Sequence, residues 1–220
     1  MLIGISGKLY SGKDTAAAII REQYPNLAIK KFADKVKDIV CLILNCTREQ
    51  LEDQDFKSKK LGEKWIKMLP NIGFTQPPIQ HQLTIRDILI GVGDGMRNEI
   101  HPDIWVNSLF NEYLPIKKEN GFSRIVKNEE GIPIDYEYEI EYPNWIITDV
   151  RYPNEAKMIK NNGGIIIRIN RDNEETKLRR EPTKMSNSEC SLDNYKDFDY
   201  IINNNGTLEE LKSHIKLLNL

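Results

Sequence analysis

Seven residues near the start of the chain, Gly7-Lys8-Leu9-Tyr10-Ser11-Gly12-Lys13, fit the spacing G-x-x-x-x-G-K and constrain the fold more than any other feature. The apolar run Met1–Ile5 before them reads as a buried strand. Asp14–Gln23 after them has Ala17, Ala18 and Ile20 at helical spacing and reads as a helix ended by Pro25. A glycine-rich turn between strand and helix aims successive backbone N–H groups at one spot, and the helix adds the positive end of its dipole. Gly7 and Gly12 permit the turns, and Lys13 is long enough to reach terminal phosphates. The loop therefore reads as a cradle for a nucleoside triphosphate. The next position usually carries a magnesium-binding hydroxyl, but here it is Asp14, followed by Thr15. Asp14 through water, or Thr15 directly, would hold Mg2+. Contacts to the triphosphate are assigned to Gly7, Lys8, Ser11, Gly12, Lys13, Asp14 and Thr15.

Further along, Leu27–Phe32 reads as a strand, and Lys35–Leu44 as a helix with Val36, Ile39, Val40 and Ile43 on one face. Residues 45–83, with Pro70, Pro77 and Pro78, read as loops and short helices. Thr84 starts a helix, with Asp87 completing a capping box and Ile85, Ile88, Leu89, Val92 and Met96 at helical spacing. Gly91, Gly93 and Gly95 each cost that helix about 1 kcal/mol against alanine, which suggests close packing against its backbone. Pro102–Tyr113 reads as another short helix. Phe122–Val126 and Ile134–Tyr142 flank a polar turn and read as a half-exposed hairpin. Trp145–Thr148, Ile165–Ile169 and Tyr200–Ile202 read as strands. Pro153–Asn161 is a helix closed by Gly163, and Thr207 with Glu210 caps a last helix buried through Leu208, Leu211, Ile215 and Leu218. Asn170–Asn187 is charged and reads as mobile.

Strands alternating with helices imply a three-layer α/β/α domain of P-loop NTPase type with a mainly parallel five-stranded sheet. It would be one domain over residues 1–220. The core is expected at 1–34, 144–170 and 198–220, with a helical acceptor-binding region at 35–113, a hairpin insertion at 115–143 and a lid at 171–195. Ligands in such sheets bind beyond the carboxyl ends of the strands.

Composition narrows the function classes. The chain has 220 residues, 40% hydrophobic and 29% charged, enough for a core without disulfide or metal staples. No apolar run approaches the ~20 residues of a membrane span, and no secretory signal is evident, so a cytoplasmic location is expected. The net charge of −2 supplies no global field for nucleic acid. Cys41, Cys46 and Cys190 read as reduced thiols, and His81, His101 and His214 form no metal-ligand pattern.

A second anion would need its own cations. Arg86 and Arg97 are eleven residues apart, about 16 Å along a continuous helix. They could serve opposite ends of a nucleotide-sized ligand, converge if the glycines bend the segment, or be solvated. Asp149-Val150-Arg151 ends a strand. The acid would suit a magnesium-organising role and Arg151 offers a fork for phosphate, though a structural Asp–Arg pair is the alternative. Glu155 follows on the first helical turn, as a ligand to the same crevice or as a helix cap. Asp34 and Lys37 follow the second strand, with Asp34 equally suited to capping. Trp105 could stack on a base or pack in the core. Arg171, Arg179 and Arg180 could form a lid over the cradle or a solvated loop.

The stretches GKLYSGKDT (7–15), FADKVKD (32–38), TIRDILIGVGDGMRNEI with HPDIW (84–105), IITDVRYPNEA (146–156), GGIIIRINR (163–171) and NNNGTLEELKSHI (203–215) together resemble the bacteriophage-type deoxynucleoside monophosphate kinases. The resemblance implies transfer of the γ-phosphoryl group of ATP to a deoxynucleoside 5′-monophosphate, with Mg2+, and a phage-encoded origin. It implies that Lys13 and its loop take ATP. Arg86, Trp105, Asp149, Arg151 and Glu155, with Arg97, fall on acceptor-binding positions, and Arg171 on the stem of the lid. Lys13, Arg86, Arg151 and Arg171 are the expected catalytic set. The segment GVGDG places Asp94 where family members often carry a hydroxyl. Two rival readings are a small-molecule kinase of the dephospho-coenzyme A or phosphomevalonate type and a non-catalytic nucleotide-binding switch. A homodimer is left open.

Overall fold

The computed structural model describes residues 1–69, 79–180 and 190–220, without the side chains of 119–124 and 134–137. Its contacts divide the chain into two units, Met1–Lys31 with Ser108–Leu220, and Phe32–Asn107.

In the first unit the five apolar segments form one sheet. β1 (Leu2–Ser6), β2 (Ala28–Lys30), β7 (Trp145–Val150), β8 (Ile165–Asn170) and β9 (Tyr200–Asn203) pair in the order β2-β7-β1-β8-β9, every neighbour parallel. Ile3, Ile5, Ile146, Ile167, Ile169 and Ile202 pack on one face with Ala16, Ala17 and Ile20 of α1 (Lys13–Gln23) and Leu211 and Ile215 of α8 (Leu208–Lys216). The helix α6 (Pro153–Asn161) packs on β1 and β8. A parallel sheet covered on both faces explains why its strands are nearly continuous isoleucine and valine rather than alternating. The expected α/β/α architecture is what the chain adopts. Both proposed capping boxes form: Thr84 and Asp87 exchange bonds at the start of α4 (Ile85–Glu99), and Thr207 and Glu210 at the start of α8.

The hairpin β5 (Ile116–Lys127) and β6 (Pro133–Glu141) is present and longer than the alternation suggested. Its turn is held by Asn128, whose Oδ1 accepts the N–H groups of Glu130 at 3.1 Å and Ile132 at 2.8 Å.

The second unit contains α2 (Ala33–Leu44), α3 (Gln54–Ser58) and α4 around Val40, Leu51 and Ile85. The helix α5 (Ile104–Phe110) spans the boundary between the units in sequence. Three expectations need correction. Within 45–83, β3 (Ile66–Leu69) and β4 (Ile79–Gln82) form an antiparallel pair. Both are short and largely exposed, so neither carries the hydrophobic pattern that marks a strand. The segment after Asn170 is not wholly irregular, because α7 (Glu174–Arg180) forms there. Asn173 caps it through the Thr176 N–H at 2.9 Å, and Glu174–Lys177 and Glu175–Arg179 pair along it. Residues 181–189 of the expected lid lie outside the described residues. Lastly, an added Cβ at Gly91 or Gly95 would meet nothing within 4 Å, and at Gly93 only Val36 Cγ1 at 3.9 Å. A side chain at these positions would crowd nothing among the described residues, and the close approach to this backbone that they show is at Gly93, whose carbonyl accepts the Trp105 indole N–H at 2.8 Å.

Candidate active site

Adjacent strands with helices on opposite faces leave a crevice where their carboxyl ends diverge. Here that point lies between β1, followed by α1, and β7, followed by α6. The register pairs Ser6 with Val150, so the Gly7 loop and Arg151 leave from neighbouring strand ends.

The loop is built for close approach. Gly12 has φ 93°, in the left-handed region, and a Cβ there would lie 2.5 Å from Asn204 Nδ2. A Cβ on Gly7 would lie 2.4 Å from the Ile169 carbonyl oxygen. Asn204 is buried, and its Nδ2 donates to the Ser11 carbonyl at 3.0 Å. The Lys13 ammonium donates to the carbonyls of Gly7 at 2.6 Å and Lys8 at 2.8 Å, which folds it over the loop. Ser11 Oγ is buried with no hydrogen-bond partner among the described residues, an orphaned hydroxyl within the cradle. Asp14 is exposed on the first turn of α1 with Lys31 Nζ 3.3 Å away, and Thr15 is exposed beside it. Hard oxygens of this kind suit a Mg2+ that keeps most of its waters and arrives with the nucleotide. No group of three potential metal ligands occurs among the described residues.

On β7, Asp149 is half-buried at the strand end, and Arg151 begins the turn into α6. Glu155 is 2% exposed, and its Oε2 accepts the N–H groups of Arg151 at 2.7 Å and Tyr152 at 3.0 Å. The capping role weighed for Glu155 is therefore present, and it sets the backbone from which Arg151 projects.

Arg171 follows β8 and lines a cavity of 310 Å³ together with Lys8, Arg168, Arg180 and Asp193. The end of α7 reaches the loop: Arg180 Nε donates to the Leu9 carbonyl at 2.8 Å, and the Arg179 guanidinium lies 6.0 Å from the Tyr10 ring centre.

In the second unit α4 is continuous, so Arg86 and Arg97 stay at opposite ends of it and the glycines do not bring them together. Arg86 donates to Gln54 Oε1 at 2.9 Å, and Arg97 pairs with Asp94 at 3.4 Å. Lys37 pairs with Glu52. Burial, then the charges of Lys37 and Arg86, hold the Lys57 ammonium below its ordinary pKa. Glu52, which pairs with Lys37, and Asp53 oppose that shift. Asp34 does not cap α2, which begins at Ala33. Its carboxylate takes Arg48 Nη2 at 2.6 Å. Trp105 is buried, and its indole N–H donates to the Gly93 carbonyl at 2.8 Å.

Sequence reasoning missed Asn204, Arg168, Asp193 and Lys57. Asn204 lies within the quoted run NNNGTLEEL, and Arg168 interrupts an isoleucine run, which was a visible signal. Asp193 and Lys57 carry no local mark.

The model of the family described as deoxynucleotide monophosphate kinase matches residues 57–215. The chain belongs to that family. It is 26% identical, over 98% of its length and 94% of the relative's, to a protein of Acanthamoeba polyphaga mimivirus named, by inference, for the same kinase. Among solved structures it is similar to TT1252 from Thermus thermophilus (16% identity, TM-score 0.43, 98% and 94% of the two chains). Another is dephospho-CoA kinase from Campylobacter jejuni (14% identity, TM-score 0.39, 97% and 93%). Membership makes the chain a nucleotide-binding phosphotransferase. No helix among the described residues is long and apolar enough to cross a membrane.

Proposed function

We infer that the chain transfers the γ-phosphoryl group of ATP to a deoxynucleoside 5′-monophosphate, releasing ADP and a deoxynucleoside diphosphate. The observation that carries this reading is the pairing of Ser6 with Val150, which sets the phosphate cradle beside Asp149 and Arg151 in a member of this family. An oxygen of the acceptor phosphate attacks the γ-phosphorus as the bond to the β-phosphate oxygen breaks. That oxygen is already anionic near neutral pH, so no strong general base is required. Catalysis is alignment and charge neutralisation.

Gly7, Lys8, Ser11 and Gly12 hold the triphosphate by backbone and side-chain contacts, and Lys13 neutralises charge on the transferring group. Asp14 and Thr15 are the oxygens that would hold Mg2+, which would supply charge neutralisation on the phosphates. Arg151 grips the acceptor phosphate, Asp149 binds the acceptor beside it, and Glu155 fixes the turn that presents Arg151. Arg171, at the lid stem, serves the donor side. Arg86, Lys37 and Arg97, all in the second unit, are proposed as acceptor-directed cations on the family resemblance. Asp34, paired with Arg48, and Trp105, bonded to the Gly93 carbonyl, are proposed as acceptor-binding on the same ground.

A coupled ADP-release assay with Mg-ATP against dGMP, dTMP, dCMP, dAMP and their ribose forms tests the proposal. Turnover with at least one deoxynucleotide is expected. ATP binding without acceptor-dependent ADP release would leave a nucleotide-binding switch. Thermal stabilisation by dephospho-coenzyme A or phosphomevalonate, and by no dNMP, would move the activity to another acceptor.

A further inference from the structure

Asp193 lies near the end of the expected lid segment and before β9, and it bridges two cations of unequal freedom. Arg168 Nη2 is 3.1 Å from its Oδ1, and Lys8 Nζ is 2.9 Å from its Oδ2. The Arg168 guanidinium is nearly buried and held on its remaining sides. Its Nη1 donates to Ser6 Oγ at 3.1 Å, its Nε to Asn170 Oδ1 at 3.2 Å, and it lies 5.7 Å from the Phe198 ring centre. That environment fixes Arg168, and Arg168 fixes the carboxylate. Lys8 is the opposite case: a flexible side chain, 28% exposed, on the phosphate loop itself.

We propose that Asp193 is a positioning residue that competes with nucleotide phosphate for Lys8 and thereby weakens the grip on departing ADP. The proposal rests on the reading that this loop takes ATP. A phosphate arriving at Lys8 meets the Asp193 carboxylate as a like charge. Either the ammonium leaves Asp193 or the two anions share it, and both lower affinity. Binding energy that holds substrate and product alike adds nothing to turnover once the site is saturated, so a built-in competitor speeds release. Arg168 keeps Asp193 in place while Lys8 exchanges.

The test is a double-mutant cycle on ADP affinity, measured by titration calorimetry at fixed salt in wild type, Asp193→Asn, Lys8→Met and the double variant. Asp193→Asn is expected to bind ADP about two- to fivefold more tightly, the range for a partly exposed ion pair. The gain should vanish in the Lys8→Met background. Equal or weaker binding by Asp193→Asn, or a gain that persists without Lys8, overturns the proposal. If Asp193→Asn does not fold, the wild-type ADP complex decides. Lys8 Nζ should have moved from Asp193 to a phosphate oxygen, and a bridge retained at its present length refutes competition. Failure of the underlying reading looks different: wild type that binds no ADP removes both ideas. Wild type that binds ADP without dNMP-dependent turnover removes only the proposed reaction, and the cycle still decides the role of Asp193.

Discussion

Glu155 is the sharpest test of how the acceptor side is held. Its side chain is buried, and a single oxygen accepts two backbone N–H groups, at 2.7 and 3.0 Å. Glu155→Ala leaves both amides without that acceptor. A hydrogen bond to a charged group contributes about 1.5–3 kcal/mol. Two bonds sharing one oxygen are less than additive, so about 3 kcal/mol is expected. In a chain of this size each kcal/mol moves the melting temperature by about 2–4 °C, so Glu155→Ala should melt about 6–12 °C lower. Glu155→Gln keeps an amide oxygen of the same reach and should lose only about a third of that. Melting by circular dichroism is paired with dNMP titrations of initial rate. If Glu155 acts by setting Arg151, the alanine variant raises KM for the acceptor and glutamine restores most of it. The reasoning fails if glutamine raises KM as much as alanine while melting close to wild type, because the charge would then be acting on the acceptor itself.

Gly12→Ala places a Cβ at positive φ and 2.5 Å from Asn204 Nδ2. Strain of about 1–2 kcal/mol plus the loss of the Asn204–Ser11 bond should lower both melting temperature and ATP affinity, and a variant matching wild type in both would contradict the loop geometry. Lys13→Ala should cut kcat at least about 100-fold, as loss of a transition-state charge does; full activity would remove Lys13 from the mechanism. Asp87 has its carboxyl held below the ordinary range by the Thr84 N–H, then by the Thr84 hydroxyl and His81. A depressed carboxyl stabilises the fold above its unfolded pKa, about 3.9. That stabilisation disappears as pH falls through the folded value. Melting temperature should therefore fall with acid more steeply in wild type than in Asp87→Asn, and parallel slopes below pH 5 would refute this contribution.

Elements whose signal is carried by a few consecutive residues were legible. The cradle, both capping boxes, the parallel strands and the hairpin at 116–141 each follow from turn chemistry or periodicity within about a dozen residues. The strands Ile66–Leu69 and Ile79–Gln82 were not, because neither is buried enough to need an apolar pattern. The helix α7 was legible in principle. Its Asn173 cap and its acid-to-base pairs are local signals, obscured by the overall charge of the segment.

By itself the sequence determined that a strand, a glycine-rich turn and a helix follow one another, and that the surrounding runs make a parallel α/β sheet. These outcomes depend on backbone hydrogen bonding and side-chain spacing along the chain. Only the tertiary structure decided which groups hold that turn: Asn204 on Ser11, Arg168 on Ser6, Asp193 on Lys8 and Arg180 on Leu9. Those partners lie more than 160 residues from the loop in sequence. What joins them to it is the order in which strands pair, and strand order is set by burying a whole sheet rather than by any short stretch of residues.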